Sequence, residues 1–363
     1  MPKGKAKKIC LVVMSLGGGG AERASGLLSQ LLDRLGYEVH VVSVMDVIEF
    51  SYAGTLLNLG ALKPEKNTLF SRIHRFKILK RYLKQNNFDY VIDTRTRIGN
   101  LKEFIISKFL YVPKQTIYVV HSSKLSAYLN TSKWLGKLLY GNAHSIVAVS
   151  KSIARKIKTD YGIKNVTTIY NAVDLSKANA TTKTKPDQAR YILFYGRLVD
   201  DIKNISLLIE AYSKSILVKE NIKLKILGEG EDGIKLKKKV EALDLSDVVE
   251  FLPYTTEPFQ MVSDAYFVVL TSRYEGFPMV IVEALSLGTP VVSVDCESGP
   301  NEIIIHEKNG LLVENHNAEA FAKAMNRMVN DKHLYLQCKS NAAKSAGQFS
   351  AEEIGKKWNQ LLR

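Results

Sequence analysis

The 363-residue chain is short of the features that would place it in several common classes. It has three cysteines, Cys10, Cys296 and Cys338, far apart and with no Cys-x-x-Cys pair. That argues against a disulfide framework and a cysteine zinc site, and for a reducing compartment. No apolar run reaches membrane-spanning length. The basic start, Met1-Pro2-Lys3-Gly4-Lys5-Ala6-Lys7-Lys8, has the charge of a signal-peptide head. The apolar run behind it, Ile9 to Leu16, is short, meets four glycines and Glu22-Arg23, and has no Ala-x-Ala-like site, so it reads as strand and loop. No Asp-x-Asp follows a strand, so a metal-bound diphosphate is not indicated. Acidic residues are scarce in one half. Residues 1–180 carry 28 Lys+Arg against 11 Asp+Glu, a net of +17, while the whole chain is +15. A surplus so one-sided points to an anionic partner for the N-terminal half.

The length suggests two domains, and an apolar share of 46% is ample for two cores. Apolar runs of strand length alternate with helical patterns, the signature of parallel α/β sheets. Ile9–Met14 is a buried first strand, followed by Gly17-Gly18-Gly19-Gly20-Ala21-Glu22-Arg23 and a helix. Glycines let backbone approach a ligand, and a helix N-terminus favours anions. A dinucleotide fingerprint fails here, because Glu22 stands where G-x-G-x-x-G needs its third glycine. Phe70–Lys84 reads as a basic amphipathic helix, with Ile73, Phe76, Leu79 and Leu83 on one stripe. Two further strands end in Thr94-Arg95-Thr96-Arg97 and in His121-Ser122-Ser123. The polar stretch 176–190 reads as a linker. A second strand-first pattern then begins with Tyr191–Tyr195, Gly196-Arg197-Leu198 and Lys203-Asn204. Gly228-Glu229-Gly230 and Pro253-Tyr254 follow later strands. The unit Ala265–Leu270, Tyr274-Glu275-Gly276-Phe277-Pro278, helix, Gly288, Val291–Val294 reads as βαβ, with Pro278 in the first helical turn and Gly288 just past its end.

Glu275 and Glu283, eight residues apart around Gly276-Phe277-Pro278, resemble the E-x7-E signature of family-4 retaining glycosyltransferases (glycosyl transferases group 1). Gly-Gly-Ala-Glu-Arg, Gly-Arg-Leu with a following lysine, Gly-x-Gly, Asn171-Ala172-Val173-Asp174 and Asn301-Glu302-Ile303-Ile304 also match that family, with Ala172 and Pro253 where glycine is usual. The resemblance covers essentially the whole chain and is strongest from Tyr191 to Val313. It implies the GT-B fold, an α/β architecture of two doubly wound Rossmann-like domains facing a cleft. The expected parts are an acceptor-binding domain (1–178, joined by a C-terminal helix, 350–363, that crosses back), a linker (179–190) and a nucleotide-sugar-binding domain (191–349).

The resemblance implies roles as well. Glu275 meets donor-sugar hydroxyls, Glu283 the ribose hydroxyls, and Arg197 with Lys203 the diphosphate. Gly19, Gly20, Gly228, Gly230, Tyr254, Gly276 and Phe277 line the donor, and His121 reaches the sugar near the reacting carbon. The chemistry is sensible, since a carboxylate accepts hydrogen bonds from a diol but repels a diphosphate, which needs cations. Arg95 and Arg97 are candidates for an anionic acceptor. The expected reaction moves a hexosyl or N-acetylhexosaminyl group from a UDP-linked donor to a glycan or polyprenyl-diphosphate-linked acceptor, as in cell-surface polysaccharide assembly. Retention, independence from metal and the absence of any cofactor are expected, at the cytoplasmic face of an anionic membrane. A sugar-nucleotide epimerase of the same fold stays open as an alternative. A nucleic-acid-binding module is a further rival, but the aromatic-basic motifs of known readers are missing, so nucleic acid is not an expected partner.

Overall fold

The computed structural model describes residues 6–66, 68–175 and 191–363. The stretch expected as a linker lies outside them. The chain forms two compact units, residues 1–172 with 351–363, and residues 173–350.

The first unit holds a seven-stranded sheet of β1 (Lys8–Val13), β2 (Glu38–Ser43), β3 (Thr55–Asn58), β4 (Tyr90–Asp93), β5 (Thr116–Val120), β6 (Ser145–Ala148) and β7 (Val166–Thr168). Their order is β3-β2-β1-β4-β5-β6-β7, and every pairing is parallel. Cys10 of β1 stands in register with His40 of β2 and Val91 of β4. Ile9, Leu11, Val12, Ile117 and Ile146 are fully buried, which explains the unbroken apolar runs: these strands are covered on both faces. The terminal helix Ala351–Leu361 belongs to this unit. Gly355 lies against Leu31 of the helix Gly20–Arg34, Trp358 is buried, and Tyr37 donates to Asn359 Oδ1 at 2.8 Å.

The second unit repeats the plan with β8 (Tyr191–Tyr195), β9 (Lys223–Leu227), β10 (Val249–Leu252), β11 (Val268–Leu270), β12 (Val291–Asp295) and β13 (Gly310–Glu314). The order is β10-β9-β8-β11-β12-β13, again parallel. Strand order reverses between β8 and β11, and between β1 and β4 in the first sheet. Such switch points open a crevice at the carboxyl ends of the strands.

The basic helix spans Leu69–Asn86, and its stripe divides along its length. Leu79 is buried and Phe76 and Leu83 are half-buried, while Leu69, Phe70 and Ile73 are exposed at its start.

At the end of β4 the first unit buries a charged cluster. Asp93 is fully buried and bonded to Arg95, Nη2 to Oδ2, at 2.6 Å. Arg97 Nη1 is 3.7 Å from Asp93 Oδ1. The Arg97 guanidinium donates to the carbonyls of Tyr128 (2.7 Å), Asp93 (3.0 Å), Arg95 (3.1 Å) and Val119 (3.1 Å). The rings of Tyr118, Tyr128 and Tyr140 surround it at 5.0 to 5.5 Å. Burial pushes the Asp93 carboxyl up, but the charges of Arg95 and Arg97 outweigh it and hold the group below its ordinary value. Removing one partner of such a cluster leaves the other charge buried and uncompensated. Arg97→Met is expected to cost about 3–5 kcal/mol in urea unfolding. Arg97→Lys should recover little, because a point charge cannot replace the planar fork. Near-wild-type stability in both variants would show that Arg97 does not hold this end of the sheet.

Candidate functional site

The switch point of the second sheet gathers most of the residues singled out in the sequence. β8 ends at Tyr195, and Gly196 takes φ 150° before the exposed Arg197. A short helical turn, Asp200–Lys203, brings Lys203 back toward the loop after β11. There its Nζ donates to Glu275 Oε1 at 2.7 Å, and Ser272 Oγ donates to the same oxygen at 2.7 Å. Lys203 and Glu275 are 20% and 12% exposed at their side chains, so the pair is sheltered but reachable. Among the described residues no ion pair holds Arg197, whose charge therefore faces solvent.

Asp200-Asp201, between the two cations, is an uncomfortable neighbour for a phosphate site on sequence grounds. The structure turns Asp200 away. Its carboxylate accepts from Ser206 N (2.8 Å) and Ser206 Oγ (2.6 Å), opening the helix Ile205–Ser213, and meets Lys235 at 3.3 Å. Burial raises this carboxyl, but the Ser206 bonds and Lys235 hold it below its ordinary value.

Glu283 lies on the helix Met279–Ser286, where Met279, Ile281, Val282, Ala284 and Leu285 are also buried. The helix is apolar nearly all round, so its carboxylate needs partners. Tyr195 Oη lies 3.2 Å from Glu283 Oε2 and donates to Val280 O at 2.8 Å. Gly276 is fixed by Ser298, which donates to its carbonyl at 2.8 Å, and the Phe277 ring packs edge-on against Phe349 at 5.3 Å.

The two glycines after β9 are required by close approach. A Cβ on Gly228 would fall 2.0 Å from Gly196 O, and one on Gly230 would fall 2.4 Å from Leu198 O. Both therefore serve backbone packing beside Arg197, whatever else they touch. Tyr254, after β10, is 41% exposed.

The first unit places Gly17–Gly20 at the end of β1. Gly18 has φ 85°, its N–H donates to Glu49 Oε2 at 3.0 Å, and Gly19 caps the helix Gly20–Arg34. His121 follows β5, with both ring nitrogens enclosed and without hydrogen-bond partners among the described residues. Burial, and then the nearby Arg97 charge, lower its pKa to about 4.

Arg95 and Arg97 depart from expectation. They are 3% and 1% exposed, and their donors go to Asp93 and to main-chain carbonyls. Neither presents a cation to an acceptor, so both are removed from the candidate site and assigned to the buried cluster. Sequence reasoning also missed Ser272 and Tyr195 as partners of the two glutamates. Ser272 sits three residues before Glu275, a spacing that carries no signal by itself.

Two family models match consecutive parts of the chain. "Glycosyltransferase Family 4" matches residues 18–177, and "Glycosyl transferases group 1" matches residues 176–345. A Campylobacter jejuni N-acetylgalactosamine-N,N'-diacetylbacillosaminyl-diphospho-undecaprenol 4-alpha-N-acetylgalactosaminyltransferase is 29% identical, over 96% of this chain and 98% of its own. Solved structures share the fold. An S. aureus TarM mutant in complex with UDP superposes with TM-score 0.79 at 18% identity, over 98% of this chain and 100% of its own. Anabaena HepE in complex with UDP-glucose gives 0.75 at 19% identity, over 98% of this chain and 99% of its own. With two doubly wound parallel sheets and consecutive matches that together span residues 18–345, the chain belongs to the family-4 glycosyltransferases of glycosyl transferases group 1 and has the GT-B fold.

Proposed function

We propose that this glycosyltransferase moves a hexosyl or N-acetylhexosaminyl group from a UDP-sugar to a glycan carried on a polyprenyl diphosphate, with retention of configuration and without a metal ion. The product would serve cell-surface polysaccharide or glycoconjugate assembly at the cytoplasmic face of a membrane. The observation that carries this reading is the Lys203–Glu275 pair beside the exposed Arg197, which no ion pair holds among the described residues, at the β8/β11 switch point. UDP in the neighbouring structures and the undecaprenol-linked substrate in the relative's name support the donor and acceptor classes.

In the proposed mechanism the donor divides the pair. Lys203 turns to the diphosphate with Arg197, and Glu275 accepts hydroxyls of the sugar in its place. Glu283 accepts the ribose diol. As the glycosidic bond breaks, charge grows on the leaving phosphate oxygen, and two fixed cations stabilise it. That phosphate then takes the proton of the incoming hydroxyl on the same face of the sugar, which accounts for retention without a carboxylate nucleophile. The roles of Gly19, Gly20 and His121 rest on the motif match. A neutral His121 suits a place near a carbon that becomes cationic, where an imidazolium would be repelled. The proposal gives the neutralising of the diphosphate to Arg197 and Lys203.

Arg197→Ala or Lys203→Ala should each lower turnover about 100-fold, read as hydrolysis or transfer with a panel of nucleotide sugars. Wild-type rates in both would remove these cations from the site, and acceptor-free conversion of the donor sugar would indicate an epimerase. Activity should persist in excess EDTA. Loss that is restored by Mg²⁺ or Mn²⁺ would overturn the metal-free mechanism.

His121 generates a pH prediction. Its folded pKa of about 4 lies below the ordinary 6.5. Between these values the unfolded chain takes up a proton that the folded protein refuses, so stability falls as pH drops from 6.5 toward 4. His121→Phe should flatten that fall in denaturant titrations. An unchanged slope would mean that the ring is not held neutral.

A further inference from the structure

A surface of the first unit that begins shortly after the basic helix Leu69–Asn86 in sequence has the chemistry of a bilayer contact. Ile98, Leu101, Phe109, Val112, Trp134 and Leu138 are all 41–74% exposed. Leu101 and Phe109 stand on the helix Asn100–Ile105 and the π-helical turn Ile106–Leu110 that continues it, with Ile98 just before and Val112 just after, and Trp134 and Leu138 stand on the helix Lys133–Tyr140. Hydrogen bonds join these elements. Lys108 Nζ donates to Leu138 O at 2.7 Å, and Asn130 Nδ2 donates to Asn100 Oδ1 at 2.6 Å. The apolar residues thus form one patch rather than scattered singles, and an exposed contiguous patch marks an interaction surface.

Its charge is of one sign. Between Glu103 and Asp160 the sequence has no carboxylate side chain, yet it holds eight lysines and one arginine. Glu103 itself is buried, turned inward to Arg95 at 3.5 Å. Lys102 and Lys108 lie among the apolar residues, and Lys133 flanks Trp134. Where the patch ends, Lys114, Lys137 and Lys164 line one concavity with Gly162 and Asn165. None of these three lysines is in an ion pair among the described residues.

We propose that this face, from Ile98 to Leu138, rests on an anionic lipid bilayer, with Trp134 and Phe109 entering the headgroup boundary and the Lys114–Lys137–Lys164 concavity receiving a lipid phosphate. An exposed Trp bordered by lysines suits that boundary, where one end of the ring is apolar and the other wet. A second copy of this chain is the poorer occupant, because a two-fold contact would set lysines against lysines. The proposal deepens the lipid-linked reading of the function and rests on it for its biological sense.

The chain has two tryptophans, and only Trp134 is exposed, at 73%, against 4% for Trp358. Emission in a Trp358→Phe background therefore reports on the patch directly. The probe is a vesicle of phosphatidylcholine, with or without phosphatidylglycerol. Emission should shift to the blue only when phosphatidylglycerol is present, and the shift should reverse with salt. In co-sedimentation, Phe109→Ser with Trp134→Ser, and separately Lys133→Glu with Lys137→Glu, should each weaken binding at least about ten-fold. All four positions lie outside the donor site, so hydrolysis of nucleotide sugar in solution should be unchanged. Unaltered Trp134 emission together with undiminished binding of both variants would overturn the proposal. So would a concentration-dependent dimer that the Phe109/Trp134 variant disperses. Loss of solution hydrolysis in the wild-type protein would instead count against the proposed reaction and leave the vesicle result to be read by itself.

Discussion

A parallel strand covered on both faces can carry chemistry only where it ends, and this constraint organises both units. Ile192, Leu193 and Phe194 of β8 and Val268 to Leu270 of β11 are 0–1% exposed, leaving no room on either face for a polar group. The first residues free to be polar are the ones just beyond. Gly196-Arg197 follows β8, Gly228 follows β9, and Thr271-Ser272 leads from β11 to Glu275. In the first unit the same rule sets Gly17–Gly20 after β1, Arg95 and Arg97 after β4, and His121 after β5. The reversal of strand order then decides which ends share a crevice, and β8 and β11 are the pair that does so in the second sheet.

The rule also explains what could be read from sequence and what could not. Unbroken apolar runs marked most of the strands, because double burial leaves a strong one-dimensional trace, whereas the short edge strands β3 and β7 carry no such run. The E-x7-E spacing was legible because Glu275 and Glu283 lie on one loop and the helix that follows it. Arg95 and Arg97 were misjudged for the opposite reason. A strand end is a ligand position or a core position according to what covers it. The cover here comes from Tyr118, Tyr128, Tyr140 and the carbonyls of Val119 and Tyr128, which are distant in sequence. The charge was legible and its surroundings were not. The patch around Phe109 and Trp134 was missed because it is assembled from two short helices and a π turn, none long enough to show a stripe.

Charge placement follows a related logic. The first unit solves the cost of buried ions by saturation, with every arm of the Arg97 fork engaged by carbonyls and Asp93 held between two arginines. The Arg97 fork in such a cluster has nothing left to offer a ligand. The second unit leaves its ions incompletely engaged. Glu275 Oε1 takes Lys203 and Ser272, while Arg197 stands in solvent. Sheltered ions with spare capacity are the ones that can change partners.

The Lys203–Glu275 contact gains its sense from that difference. In the proposed roles, a carboxylate that meets sugar hydroxyls and an ammonium that meets phosphate would both wait, partly desolvated, while no donor is bound. Separately each would bear the desolvation cost of a lone ion. Paired at 2.7 Å they offset one another, so the site can be dry without being unstable. A nucleotide sugar brings hydroxyl donors for the carboxylate and anionic oxygens for the ammonium in one molecule. It can therefore open the pair without stranding either ion. Free sugar would leave Lys203 without its carboxylate, and free diphosphate would leave Glu275 with Ser272 alone. On the proposed roles the ion pair would select for the intact donor through the energetic cost of recognising half of it.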